Sequence, residues 1–185
     1  MDQLFKVLKI MDQMRDNYNH HSSRVAEYTV RMAGLLHLPD IEIIAAGAHL
    51  HDIGKFLLPR ELLNAARKLT DYERVKVEEH TRLGWAIVNA AGYDPIVEAM
   101  VLSHHEHWNG TGYPDKLKKL EIPIQARILS ICDVWEALTA QRSYRAAFSH
   151  KFAKTYIQGL KGLDFDPDLV DLFFEKVTPI EGEAE

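Results

Sequence analysis

Histidines and acids are grouped in this chain in a way that invites metal chemistry. His51 and Asp52 are adjacent, His104 and His105 are adjacent, and Glu106 follows the second pair. His80 shares a helical face with Val77, Leu83, Gly84 and Ile87, which should point inward. Asp133 lies in the middle of an apolar helix, beside the small residues Ser130, Ala137 and Ala140. A carboxylate placed there is costly unless it is paired or bound to a metal. His21 opens a helix that begins near Ser22 and Ser23.

Taken singly, each residue reads as structural. An inward histidine is more often a hydrogen-bonded core residue, and Asp133 alone could cap or pair with Arg127. His20, His37, His49, His107 and His150 stay in that plainer class. As a set, His21, His51, His80, His104, His105, Asp52 and Asp133 sit on separate helices, at inward positions or helix ends. Side chains so placed can converge in a bundle core, where dinuclear centres are built. Imidazole nitrogen and carboxylate oxygen without thiolate suit iron, manganese, cobalt, nickel or zinc. An adjacent His-Asp pair suits two metals, because the imidazole takes one and the carboxylate can bridge both.

The elements that must position these residues are helical. Apolar residues recur at helical spacing almost throughout, and strand alternation is scarce. The segment "MDQLFKVLKIMDQM" reads as a helix, because acids and lysines interrupt any signal-peptide core. The next helix spans 22–38 and ends before Pro39. Another spans 40–54, with Asp40 as cap and Gly54 as stop. A long helix over 70–92 starts with Thr70 and Glu73 in capping-box spacing. Asp94-Pro95 opens a helix expected to run to Trp108. Helices over 122–141, 150–160 and 167–177 follow, and Gly112-Tyr113-Pro114 reads as a rigid turn. The expectation is an all-α, single-domain helical bundle over 1–180, with 181–185 as a frayed acidic tail.

Composition narrows the function. The chain has 185 residues, enough for one domain with its own core. Cys132 is the only cysteine, so no internal disulfide or thiolate cage can form, and a reducing cytoplasm fits. No apolar run approaches a membrane span. The formal net charge of −5 excludes a general basic footprint for DNA. An anionic small-molecule substrate therefore needs a local positive source: lysine, arginine or metal.

Through "HLHDIGK" the chain resembles the HD domain superfamily. More narrowly it resembles the HD-GYP family of cyclic di-GMP phosphodiesterases. The segments that carry the likeness are "HSSRVAEYTVRMAGLL", "HDIGKFLLPRELL", "KLTDYERVKVEEHTRLG", "LSHHEHWNGTGYP", "IPIQARILSICDVWEALTAQRSYR" and "LDFDPDLVDLF". They appear in order, with Gly112-Tyr113-Pro114 directly after the double histidine.

The resemblance implies an HD-type bundle with a metal site in its core. It also implies two divalent transition metals, iron or manganese ahead of nickel, cobalt or zinc. His21, His51, Asp52 and Asp133 would hold one metal. Asp52 would bridge to the second, held by His80, His104 and His105. Lys55 would neutralise the scissile phosphate. Gly112, Tyr113 and Pro114 would border the substrate groove, and Arg142 and Arg145 would meet the second phosphate or a guanine. Glu106 would either orient a ligand or stand as a solvated acid.

The implied reaction is hydrolysis of cyclic di-GMP by a metal-bridging hydroxide, giving pGpG and, by a second cut, GMP. A regulatory protein partner and a homodimer fit the same family. The alternatives are another HD-superfamily nucleotide phosphohydrolase, acting on a mononucleotide or a different cyclic dinucleotide, and a non-enzymatic nucleotide-sensing adaptor. Some positions depart from the family. Asn17 stands where a trinuclear subgroup has glutamate, which favours two metals. Ala65-Ala66-Arg67 replaces Lys-Pro-Gly, which predicts a more helical segment over the groove. Ser143 and Asn109 differ as well.

Overall fold

The computed structural model describes residues 21–65, 67–141 and 146–178. The expected N-terminal helix, His20, Asn17, Arg142, Ser143, Arg145 and the acidic tail lie outside them. Among the described residues every regular element is helical, apart from one isolated bridge between Lys161 and Phe165. None of their helices is long and apolar enough to cross a membrane.

The helices are α1 (His21–Leu35), α2 (Ile41–Leu50), α3 (Arg60–Leu63), α4 (Asp71–Glu78) and α5 (His80–Ala90). Then come α6 (Pro95–Ser103), α7 (Ile124–Thr139), α8 (His150–Gly159) and α9 (Pro167–Lys176). Short 3-10 turns occupy Ile53–Leu57 and Lys119–Glu121. Helix α1 packs on α2 and α7, and α6 on α2, α5 and α7.

One apolar cluster centres on Val25, Met32, Ile44, Met100, Ile128, Trp135 and Phe173. A second joins Leu50, Ile53, Val88, Val97 and Val101. Candidate ligands follow core residues directly: His51 comes after Leu50, and Asp133 after Cys132. The site is thus anchored by the same burial that forms the bundle.

Several boundaries differ from expectation. Helix α2 stops at Leu50, and the chain turns at His51-Asp52 into a 3-10 segment rather than running on to Gly54. That segment lies backbone-to-backbone on α5: a Cβ on Gly54 would meet the backbone nitrogen of Gly84 at 2.6 Å. A continuing helix could not make this approach. Asp40 precedes α2 with φ 59° and gives no side-chain cap; its carbonyl accepts from Ile43 at 2.9 Å instead.

The expected 70–92 helix is divided at Glu79, which keeps right-handed dihedrals. Its start is as expected: Glu73 N–H donates to Thr70 Oγ1 at 3.2 Å, and Thr70 N–H to Glu73 Oε2 at 2.9 Å. Helix α6 ends at Ser103, well short of Trp108. The carbonyl of His105, which a continuing helix would offer to Asn109, accepts from Tyr113 N–H at 3.1 Å. Asn109 N–H turns to Leu163 O at 2.8 Å.

Ala65 and Arg67 are not helical, contrary to expectation; Ala66 lies outside the described residues. The Arg67 guanidinium instead forks onto Glu73 at 2.6 and 2.7 Å, which ties the segment to the start of α4.

Candidate metal centre

The histidine orientations are set by their own helices. Nδ1 of His51 lies 2.7 Å from Ala48 O, Nδ1 of His80 2.7 Å from Val77 O, and Nδ1 of His104 3.0 Å from Val101 O. A carbonyl only accepts, so in each ring Nδ1 carries the proton and donates it. In its neutral form each ring then presents the Nε2 lone pair to the interior. All three side chains are buried.

Those lone pairs meet other acceptors. His80 Nε2 and His104 Nε2 are 3.4 Å apart, and they lie 3.5 and 3.8 Å from Asp52 Oδ1. His51 Nε2 lies 3.6 Å from Asp52 Oδ2 and 3.9 Å from Asp133 Oδ1. Neither His51 Nε2 nor Asp52 Oδ1 has a hydrogen-bond partner, though both atoms are buried. Converging acceptors without a donor are costly unless a cation lies among them. The donors form two overlapping groups: Asp52, His80, His104 and His105, and His21, His51 and Asp52. Within each group the ligand atoms lie within 4.8 Å of one another, and Asp52 belongs to both. Asp133 adds a carboxylate oxygen 3.1 Å from His21 Nε2. The residues fit a pair of metal ions sharing Asp52.

The electrostatics agree. Burial pushes the pKa of His105 down to about 3, and burial with neighbouring histidines holds His104 well below its ordinary value. His80 is lowered chiefly by burial. Neutral imidazoles are the ligating form. Burial opposes ionisation of Asp52, but Lys55 and the surrounding histidines outweigh it and keep the carboxylate charged. His21 differs: burial disfavours its cation, yet Asp133 and Glu136 overcome this and raise it to about 9. A metal held by His21 would have to displace that proton.

Lys55 is beside the centre, with Nζ 2.5 Å from Asp52 Oδ2. The Tyr113 ring lies over His105 at 4.9 Å between centroids, tilted 31°. Gly112 has no left-handed dihedral. Its need for a missing side chain comes from approach: a Cβ would press on the backbone of His105, Glu106 and His107. The structure therefore brings together His21, His51, Asp52, Lys55, His80, His104, His105, Asp133 and the Gly112–Pro114 loop. Asp133 does not pair with Arg127, which binds Asp166 at 2.5 Å.

One acid escaped the sequence reading, and another has a different role from those expected. Glu136 is buried and bonds to His21 Nδ1, and it also accepts from Arg24 Nε at 2.7 Å. Its signal was its place one helical turn after Asp133. Glu106 is neither a ligand-orienting group nor a solvated acid. It is 2% exposed and accepts the backbone N–H groups of Asp115 at 2.6 Å and Leu117 at 3.1 Å.

A family model described as HD domain matches residues 7–169. A cyclic di-GMP phosphodiesterase of Vibrio cholerae is 35% identical over 184 residues, covering 90% of this chain and 37% of the relative. A 3'3'-cGAMP-specific phosphodiesterase 2 of the same organism is 35% identical over 159 residues, covering 84% of this chain and 30% of the relative. The chain spans about a third of the length of these relatives. Among solved structures, Bd1817, a HDG"Y"P protein from Bdellovibrio bacteriovorus, superposes with a TM-score of 0.67 at 20% identity, over 84% of this chain and 52% of that one. At that identity the likeness shows the fold.

Proposed function

The chain belongs to the HD domain family, in which its HD-GYP resemblance places it, and on that premise we propose that it is a metal-dependent phosphodiesterase of cyclic dinucleotides, cleaving cyclic di-GMP to linear pGpG. The observation that carries this reading is the sharing of Asp52 by two ligand groups, with Lys55 Nζ 2.5 Å from its second oxygen. In the proposal, residues 1–180 act as one catalytic domain. His21, His51, Asp52 and Asp133 would hold one metal, and Asp52, His80, His104 and His105 the other. Such ions, when bound, supply Lewis acidity and bring the pKa of water close to neutral.

The chain's own residues do the rest. The bundle holds the ligands in a fixed, partly buried array, so little reorganisation accompanies reaction. Lys55 offsets charge on the scissile phosphate while water attacks phosphorus in line with the departing ribose 3′ oxygen. The P–O3′ bond breaks, and the leaving oxygen takes up a proton. The Gly112–Pro114 loop walls the groove, and Arg142 and Arg145 meet the second phosphate or a base. The metals also reconcile a dianionic substrate with a chain of net charge −5.

The test is anaerobic reconstitution with iron or manganese, followed by elemental analysis and chromatography of products from cyclic di-GMP. Two metals per chain and pGpG are expected. A saturated protein with one metal or three sinks the dinuclear assignment. A saturated protein that leaves every cyclic dinucleotide intact sinks the enzymatic one.

A further inference from the structure

A cleft with a cavity of about 80 Å³, open to solvent, lies beside the ligands His105 and Asp133 and continues to Tyr156, Leu160, Phe165 and Asp164. We propose that its far end is a guanine-selective base pocket, in which the Asp164 carboxylate accepts the N1–H and N2–H donors of the base and Tyr156 covers the ring. This rests on the cyclic di-GMP reading and adds which residues read its bases.

The walls have the chemistry of a nucleobase site. Leu160 and Phe165 give apolar surface, and Tyr156 gives an aromatic face with 47% exposure. Tyr156 ends a ladder of exposed rings on and before α8: Phe148 stacks on Phe152 at 4.5 Å, and Phe152 on Tyr156 at 6.4 Å, tilted 22°. Flat rings presented in this way suit stacking of a base.

The other polar groups along the cavity are engaged elsewhere. Glu106 binds loop backbone, and Ser130 Oγ donates to Arg127 O at 3.0 Å. His107 Nδ1 lies 3.2 Å from Thr111 Oγ1 and 3.5 Å from Asp164 Oδ1. That last separation is long for a hydrogen bond, so His107 steers the carboxylate without using up its lone pairs.

Asp164 is held in place by its backbone. Its N–H donates to Leu160 O at 3.0 Å, and its carbonyl accepts from Trp108 N–H at 2.9 Å. Asn109 N–H to Leu163 O is a second tie to the segment after the metal ligands. The carboxylate is thus fixed relative to the reaction centre rather than carried on a mobile loop.

A carboxylate offers only acceptors. Guanine places two donors side by side on one edge, and both can be satisfied. Adenine presents one donor beside the N1 acceptor, so binding it would set two acceptors face to face. A site that hydrogen-bonds one edge discriminates strongly against a base lacking it.

The experiment measures kcat/KM of the metal-loaded chain on cyclic di-GMP, 3′,3′-cGAMP and cyclic di-AMP, together with calorimetric binding of GMP and AMP. The wild type should prefer guanine in both assays. Asp164→Asn should lower the cyclic di-GMP to cyclic di-AMP ratio by about tenfold or more, the scale of one bidentate base contact. Tyr156→Ala should raise KM for all three cyclic substrates. Metal content and helical circular dichroism report whether each variant is intact. An intact Asp164→Asn protein with the wild-type ratio overturns the proposal, as does equal binding of GMP and AMP by the wild type. If no cyclic dinucleotide is cut, yet GMP is preferred through Asp164, the pocket stands and the catalytic reading fails.

Discussion

The buried carboxylate of Glu106 accepts the backbone N–H of Asp115 at 2.6 Å, and its second oxygen accepts Leu117 N–H at 3.1 Å. An acid next to the His104-His105 pair thus serves as the clamp that closes the loop over the centre. Burial raises its pKa, against the pull of the backbone donors that stabilise its charge.

Replacing Glu106 with Ala removes both acceptors and leaves two backbone donors to find others. The expected cost is about 1–3 kcal/mol in urea unfolding. Because Glu106 positions the loop and not the metals, metal content should hold, and KM for cyclic di-GMP should rise more than kcat falls. Glu106→Gln, which keeps one acceptor, should recover part of the loss. Loss of metal in step with activity in both variants would show that Glu106 supports His104 and His105 instead.

The candidate ligand types stood out in the sequence because metal chemistry accepts few side chains; helical spacing put His80 on an inward face, and His51 and His104 were placed at helix ends. Glu106 was not legible. Its partners are backbone N–H groups 9 and 11 residues later, which carry no side-chain signature. The stops of α2 and α6 were missed for a related reason. Periodicity records apolar faces, but Gly54 leaves the helix for close backbone approach to α5, and His105 O leaves it for Tyr113 N–H. The Thr70–Glu73 capping box was legible because both partners lie within one turn.

Asp52 is the residue common to both ligand groups. If Asp52 bridges two metals, Asp52→Asn replaces the shared anion with a neutral amide, and both metals should bind more weakly. Turnover should fall by orders of magnitude while the helical signal persists. Near-wild-type metal content and rate in the folded variant would remove Asp52 from its bridging role.

Lys55 reaches Asp52 Oδ2 at 2.5 Å and is half-buried. If its charge meets the scissile phosphate, Lys55→Ala should keep both metals and lose roughly 10²-fold in kcat, comparable to removing one oxyanion donor. A lysine that merely sits within a 3-10 turn would change stability slightly and leave the rate alone. Rates at matched metal occupancy separate the two.

Gly112 gives the sharpest test of the loop. It needs no unusual dihedral, since its φ is not positive. What excludes a side chain is contact: an added Cβ would lie 2.5 Å from His105 O and 2.6 Å from Glu106 Cα, both backbone atoms that cannot swing away. Gly112→Ala must therefore shift the loop, and with it Tyr113, whose ring lies over His105. Tyr113→Ala alters the wall without that backbone strain. Both variants should weaken cyclic di-GMP hydrolysis, with Tyr113→Ala keeping full metal content and Gly112→Ala losing stability by about 1–3 kcal/mol, the usual cost of overpacking. Hydrolysis of bis(p-nitrophenyl) phosphate, which needs the metals and little of the groove, should fall much less than cyclic di-GMP hydrolysis in Tyr113→Ala. Equal loss of both activities in Tyr113→Ala, with metal released, would make the loop a brace for His105 rather than a wall for substrate.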